Sequence, residues 1–411
     1  MCNVRFEDAF EAAIALHLLM LAVVFYTHVG SAVEVSPRLA HLHALLDSGA
    51  LDKFPNGIVE ISLPDSHPLS VHVTHPRVLF LLAFLVSSTA KRDAVGRRPK
   101  RKIFATEGLV AWEVEASREI FLTNWASLGD VEETELRLAK IKADMLCEVV
   151  AVSILRSEFE VAEDNLDMLI AHTRTYSIFH LFEARIALHH AHLAHALGQQ
   201  ERALDCYHVA AHCAAEYSFE DIAARAGAIT LQIGMNRAGT NQTGARCHPS
   251  NFQVDLQEAA EVAKLCKGIG GTLEAIGQVI EACLAPEILR AKQHLKRALA
   301  LASSAQDNHM RALILALIAA HYLHTAGEHA REMLQTCEQI AAGLGAPPAK
   351  VQGGGTGAQV APVVGNVPLG LWIGERFLEL HKRAGKEDRA KKQAAVNTHL
   401  RAAVDNLTRR A

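Results

Sequence analysis

Aromatic residues are scarce in this chain, at 5% of its 411 residues. Alanine and leucine dominate instead. The scarcity argues against a β-rich domain, whose pleated strands select Val, Ile, Thr and aromatic side chains. No CxxC pair occurs among the cysteines at 2, 147, 206, 213, 247, 266, 283 and 337, so neither a zinc ribbon nor a redox pair is signalled. Thiols scattered among Ala and Leu read as small buried residues of a reducing compartment. HExxH, a nucleophile elbow, a dinucleotide fingerprint and a kinase set are all missing. "GIGGT" (Gly268–Thr272) follows a helix pattern rather than a strand, and no Gly-Lys-Ser/Thr follows "GGGTG". These absences point away from an enzyme and imply no cofactor, no metal and no small-molecule substrate.

Excess charge is missing too, the net value being −4. The longest apolar run, "AAIALHLLMLAVVFY" (Ala12–Tyr26), falls short of the roughly 20 residues of a spanning helix. Glu7, Asp8 and Glu11 precede it, where a signal peptide carries positive charge. It reads as a buried helix of a repeat array, with no membrane role. The sequon at Asn241 matters only in a secreted protein.

What is abundant is helix-forming sequence with an internal period. In "LAHALGQQERALDCYHVAAHC", Gly198 is followed by Ala203, Tyr207 and Ala210, the tetratricopeptide core spacing, and Ala191 supplies the earlier small residue. Glycine closes the first helix and permits a tight turn, small residues sit where two helices cross, and Tyr207 fills the gap towards the next unit. The Ala-x3-large-x2-apolar frame recurs from Ala162, Ala291 and Ala330, degenerately from Ala259, and with Gly385 before Ala390 at the end. Successive alanines are 41, 56, 32, 39 and 60 residues apart, and each long gap contains an insertion. The expectation is an all-α, tetratricopeptide-like helical-repeat superhelix, a solenoid.

The insertions are "NRAGTNQTGARCHPSN" (residues 236–251) and a Pro/Gly-rich loop at 346–368, expected to be disordered. "IVEISL" and "LSVHVT" alternate around "PDSHP" and predict a small β-hairpin over 58–74. The expected organisation is an N-terminal helical part over 1–130, carrying the hairpin and a basic loop at 91–102. Repeats follow over 131–345, then the loop at 346–368 and a C-terminal helix pair over 369–411.

Histidines cluster at His189, His192 and His195, and again at His208 and His212. Metal ligation needs convergent nitrogens, but no carboxylate interleaves the cluster as a further ligand. These rings read as structural, neutral and hydrogen-bonded to a neighbouring helix. Stoichiometric zinc on His189–His212 would revive an enzyme.

"KRDAVGRRPKRK" concentrates Lys91, Arg92, Arg97, Arg98, Lys100, Arg101 and Lys102 in twelve residues with one acid. Three readings stand: a solvated connector, a nuclear-import address read as an extended chain, and a contact for phosphate or an acidic partner. The address is preferred, with electrostatic contact second. Direct DNA binding by the chain is expected to be weak at most.

The stretches "HPRVLFLLAFLVSSTAKRDAVGRRPKRKIFATEGL", "MLIAHTRTYSIFHLFEARIALHHAHLAHALG", "RALILALIAAHYLHTAGEHAREMLQTCEQIAAGLGAP" and "PLGLWIGERFLELHKRAGKEDRAKKQ" resemble the cohesin-loading factor family, from about Pro37 onward. The resemblance implies a nuclear, chromatin-associated, non-enzymatic scaffold that wraps the N-terminal segment of the large HEAT-repeat subunit of the cohesin loader. Through it the pair acts on the cohesin complex and on sister-chromatid cohesion. Relatives carry further N-terminal repeats, and this chain is expected to be a shortened form. The alternative is a tetratricopeptide-type adaptor of an unrelated complex.

Overall fold

The computed structural model describes residues 6–123, 126–241, 255–345 and 365–410. Among them are sixteen α-helices, one 3-10 turn and one two-stranded sheet. They divide into two compact units. The first comprises Met1–Arg92, Lys100–Val149 and Asp164–Phe182, the second Asp93–Pro99, Val150–Glu163 and Glu183–Ala411.

The first unit opens with α1 (Ala9–Val29) and α2 (Ala32–Asp47), followed by the 3-10 turn Ala50–Lys53. Asp8 caps α1 by accepting from the amides of Phe10 and Glu11, and Gly30 closes it in the left-handed region. Strands β1 (Ile58–Ile61) and β2 (Leu69–His72) then pair antiparallel with Val59 opposite Val71. Helices α3 (Pro76–Ala90) and α4 (Lys100–Ala116) complete the run. Leu16, Met20 and Val23 of α1 meet Leu39 and Leu42 of α2, Phe54, and Leu79 and Val86 of α3 in one core. A second core centres on Trp112, whose indole donates to the Leu138 carbonyl at 2.7 Å.

Helix α1 departs from expectation. The helix runs 21 residues and contains an 18-residue window of mean hydropathy 2.0, long and apolar enough by length and composition to cross a membrane. Ala12, Ala13, Leu16, Met20 and Val23 are buried, and His17 hydrogen-bonds to Thr74 Oγ1 at 3.0 Å. Leu18, Leu21 and Phe25 on its other side are more than half exposed. The expected buried helix is therefore buried on one face only.

Helices α5 (Leu128–Leu155), α6 (Phe159–Thr175) and α7 (Phe179–Ala196) contribute residues to both units. In the second unit α8 (Gln200–Cys213), α9 (Phe219–Asn241), α10 (Leu256–Leu265) and α11 (Gly271–Leu284) follow. Next come α12 (Ile288–Ser304), α13 (Asn308–Tyr322), α14 (Gly327–Gly343), α15 (Val367–Arg383) and α16 (Glu387–Arg410). From α8 to α16 each helix packs on its neighbour in sequence, with one further contact between α9 and α11. Overlapping cores link α7 to α11, α11 to α14, and α13 to α15. Stacking of this kind, neighbour upon neighbour, is the helical-repeat solenoid, so the fold is all-α and tetratricopeptide-like with a small β-hairpin inserted.

The repeat is exact in its placement. Ala162, Ala203, Ala259, Ala291, Ala330 and Ala390 are each the fourth residue of an even-numbered helix from α6 to α16, and all are buried. Each amide donates to the carbonyl four residues back, just outside the helix. One turn further on, Leu166, Tyr207, Ala263, Leu295 and Leu334 are also buried, whereas Ala394 is half-buried. The tight turns use left-handed backbone at Gly198 and Gly385, as glycine permits, but Ser157, Ser177, Tyr217 and Gln306 adopt the same conformation. Glycine is therefore one way of making the turn and not a requirement of it. The insertions expected at 236–251 and 346–368 lie largely outside the described residues, although α9 runs on to Asn241 and α15 begins at Val367. The boundary expected at 130/131 falls within α5.

Tyr207 lies against α9 at Gly227, where an added Cβ would stand 2.4 Å from the ring. Helix propensity alone favours alanine there by about 1 kcal/mol. Overpacking a ring with no room to move costs about 1–3 kcal/mol, which outweighs it. Gly227→Ala should therefore lower the urea midpoint; a rise would show that the ring is free to shift.

The histidines of α7 supply a second test. His195 Nδ1 lies 3.1 Å from the Tyr207 hydroxyl, and His192 and His195 both pack edge-on to its ring. Burial, helped by the neighbouring His195, lowers His192 from the ordinary 6.5 to about 4. The unfolded chain thus binds a proton below about 6.5 that the folded chain refuses until about 4, so stability is lost as pH falls through that window. The slope is about 1.4 kcal/mol per pH unit for each such histidine. The urea midpoint should fall from pH 7.5 to pH 5.5 and fall less in His192→Gln. An unchanged midpoint would mean that the ring protonates inside the fold.

Candidate interaction surfaces

The twelve-residue basic segment is not a continuous loop. Lys100, Arg101 and Lys102 form the first turn of α4. Pro99 explains the break. Proline disfavours helix in the residue before it, Arg98, and leaves the residues after it free to enter one.

Within the first unit the basic side chains are largely engaged. Arg101 binds the Glu148 carboxylate through Nε and Nη2, both at 2.8 Å, with both side chains mostly buried. Arg92 donates to the Thr27 carbonyl at 2.9 Å. Lys91 is half-buried, and burial followed by the charge of Lys100 lowers its ammonium below the ordinary value. Lys102 is half-buried, while Lys100 is exposed.

Arg97 and Arg98 are exposed, on residues 93–99 of the second unit, and the backbone beneath them is pinned. Arg156, only 2% exposed, donates through Nη1 to the carbonyls of Ala94 and Gly96, each at 2.8 Å. Its Nη2 reaches the Gly345 carbonyl at 2.6 Å, and Nε pairs with Glu158 at 2.9 Å. The Gly96 amide donates to Gly343, Asn308 donates to Asp93, and Ala94 packs between Val152 and Leu344. An import receptor that reads an extended chain would have to release this anchorage and unwind the first turn of α4. As folded, the segment displays Arg97, Arg98 and Lys100 as fixed charges. Nothing in the local sequence announces Arg156, whose partners lie up to 189 residues away; the one hint is a lone arginine ending the apolar run "VVAVSIL".

The second unit also carries an open cleft of about 510 Å³ between α10, α11 and α12. Lys264, Lys267 and Arg297 line it together with Glu274, Glu281 and Gln278. Leu256, Ile288 and Leu289 are exposed on the same helices, α10 and α12. An open trough of mixed charge suits a polypeptide better than a small molecule, which needs an enclosing cavity. Among the described residues no group of three or more His, Cys, Asp or Glu side chains is placed to hold a metal. His208 and His212 are exposed on α8, whereas His189 is buried on α7, so the sequence cluster does not converge. The repeat-packing residues Ala162, Ala203, Tyr207, Ala210, Ala291, Ala330 and Ala390 are buried between helices and offer a partner no surface.

No curated protein matches the chain. Among solved structures, a chain described as Rap protein complexed with competence and sporulation factor is similar in backbone, with a TM-score of 0.49 at 10% identity. The similarity covers 97% of this chain and 99% of that one. The profile of the family described as cohesin loading factor matches residues 4–347, most of the sequence. This chain therefore belongs to the cohesin-loading factor family.

Proposed function

We propose that the chain is a non-catalytic scaffold subunit of the cohesin loader, working in the nucleus at chromatin. It would hold the N-terminal segment of the large HEAT-repeat loader subunit and so promote cohesin loading and sister-chromatid cohesion. The family match over residues 4–347 carries this reading. The physical character of the surfaces supports it. Stacked helix pairs offer long, shallow troughs in which a peptide can bury about 2,000–5,000 Å² in all, the range of obligate complexes. Ordering a flexible segment costs free energy, so affinity has to come from extended area rather than from a single pocket. The exposed Arg97, Arg98 and Lys100 are the proposed address or electrostatic contact, whereas Arg101 and Arg92 are held by the fold.

Affinity purification of the tagged chain from its own cells, with mass spectrometry of what stays bound, tests this directly. Recovery of a large HEAT-repeat protein together with cohesin subunits is expected. A clean preparation of unrelated proteins would contradict the proposal and favour an adaptor of another complex.

A further inference from the structure

We propose that the turn joining α15 to α16 is a cationic landing surface for the phosphate backbone of duplex DNA. It goes beyond the scaffold reading, which needs no contact between this chain and DNA, and it lies outside residues 4–347, where the family match ends.

Residues 381–392, "HKRAGKEDRAKK", carry six Lys and Arg against two acids, in a chain whose net charge is −4. Arg383 is already occupied, by Glu379 at 2.6 Å and by the Leu323 carbonyl. The other five, Lys382, Lys386, Arg389, Lys391 and Lys392, are exposed. Among the described residues none of their side chains enters an ion pair or hydrogen bond, and Glu387 and Asp388 pair with none of them. Arg331 of α14, itself held by Glu328 at 2.7 Å, adds its charge nearby. The effect registers on His381, which stacks on Phe377 and is lowered below its ordinary value by burial and then by Arg389, Lys386 and Arg331. The local field is positive and uncompensated.

Helix stability does not explain the placement. Lys382 stands in the last turn of α15, where the helix dipole welcomes a cation. Lys386 and Arg389 stand at the opposite, positive end of α16, where helices favour acids such as the neighbouring Glu387 and Asp388, and Lys391 and Lys392 lie one turn further on. The helix dipole therefore gives none of these four a stabilising role.

The surroundings select the occupant. Val396 is the one large apolar side chain exposed on the described surface of α15 and α16. A protein partner would want an aromatic or aliphatic anchor and a pocket for it. A membrane would want an apolar face to insert, and single-stranded nucleic acid would want exposed rings for stacking. Trp372, the aromatic nearest to that role, is half-buried beneath Arg376. What remains is a polyanion bound through charge alone, for which duplex phosphates are suited. Binding should be weak, independent of sequence and steeply dependent on salt.

The test is fluorescence anisotropy of the full chain with a labelled duplex of mixed sequence over a salt series. It compares the native chain with Lys386→Gln/Arg389→Gln/Lys391→Gln/Lys392→Gln. The variant should bind at least tenfold more weakly at low salt. Its log–log salt slope should be shallower by roughly 0.9 for each phosphate that is no longer neutralised. In the same variant the His381 titration should move up towards the ordinary value while the melting midpoint holds, showing an intact fold from which the field has gone. Equal affinity and slope in the two chains would overturn the proposal. So would abolition of binding by Arg97→Gln/Arg98→Gln alone, which would place the DNA contact on the other basic segment. A variant that keeps DNA but no longer holds the large loader subunit would overturn it in favour of an acidic protein partner.

Discussion

Two helices come close together only where a side chain is missing between them, and this array depends on that constraint. The fourth residue of every second helix from α6 to α16 is alanine, and Gly227 and Gly277 do the same on the facing helices. At Gly277 an added Cβ would stand 2.8 Å from the Ala263 carbonyl and equally near Cys266 Cβ. The close approach lets large residues such as Leu166, Tyr207, Leu295 and Leu334 fill the space beside each crossing. Because each pair meets mainly its neighbours, stability in such an array is a sum of local interfaces, and no single core holds the whole.

The frame is legible in the sequence because it is local. An alanine, a large residue four places on and an apolar residue three beyond that lie on one face of a helix wherever the helix is. Whatever depends on a distant partner is not legible in that way. Gly227 looks like an ordinary helix-weakening glycine until Tyr207 is seen against it. Arg156 looks like a surface arginine until its bonds to Ala94, Gly96 and Gly345 are seen. The basic segment differs in part from its expected form for the same reason. Charge density is visible in sequence, but Glu148, which draws Arg101 into a helix packed on α5, is 47 residues away. The histidines look convergent as text, yet α7 buries His189 while α8 turns His208 and His212 to solvent.

Charge and surface shape bear on function together. In a chain of net charge −4, Arg97, Arg98 and Lys100 and the cations of the α15–α16 turn are exposed, while the trough between α10 and α12 mixes both signs. Neither feature resembles a catalytic centre, where groups of perturbed ionisation converge on one cavity. His192, which burial lowers to about 4, is held against Tyr207 in the packing of α7 on α8. Both features suit a member of the cohesin-loading factor family acting as a surface on which other macromolecules are held.

In the proposed scaffold role a partner segment lies along successive helix pairs. Hydrogen exchange of the chain alone and in complex with the large loader subunit tests it most directly. New protection should spread over consecutive helix pairs of the second unit, including α10 to α12. Protection confined to a single helix pair, with the rest of the array unchanged, would contradict it.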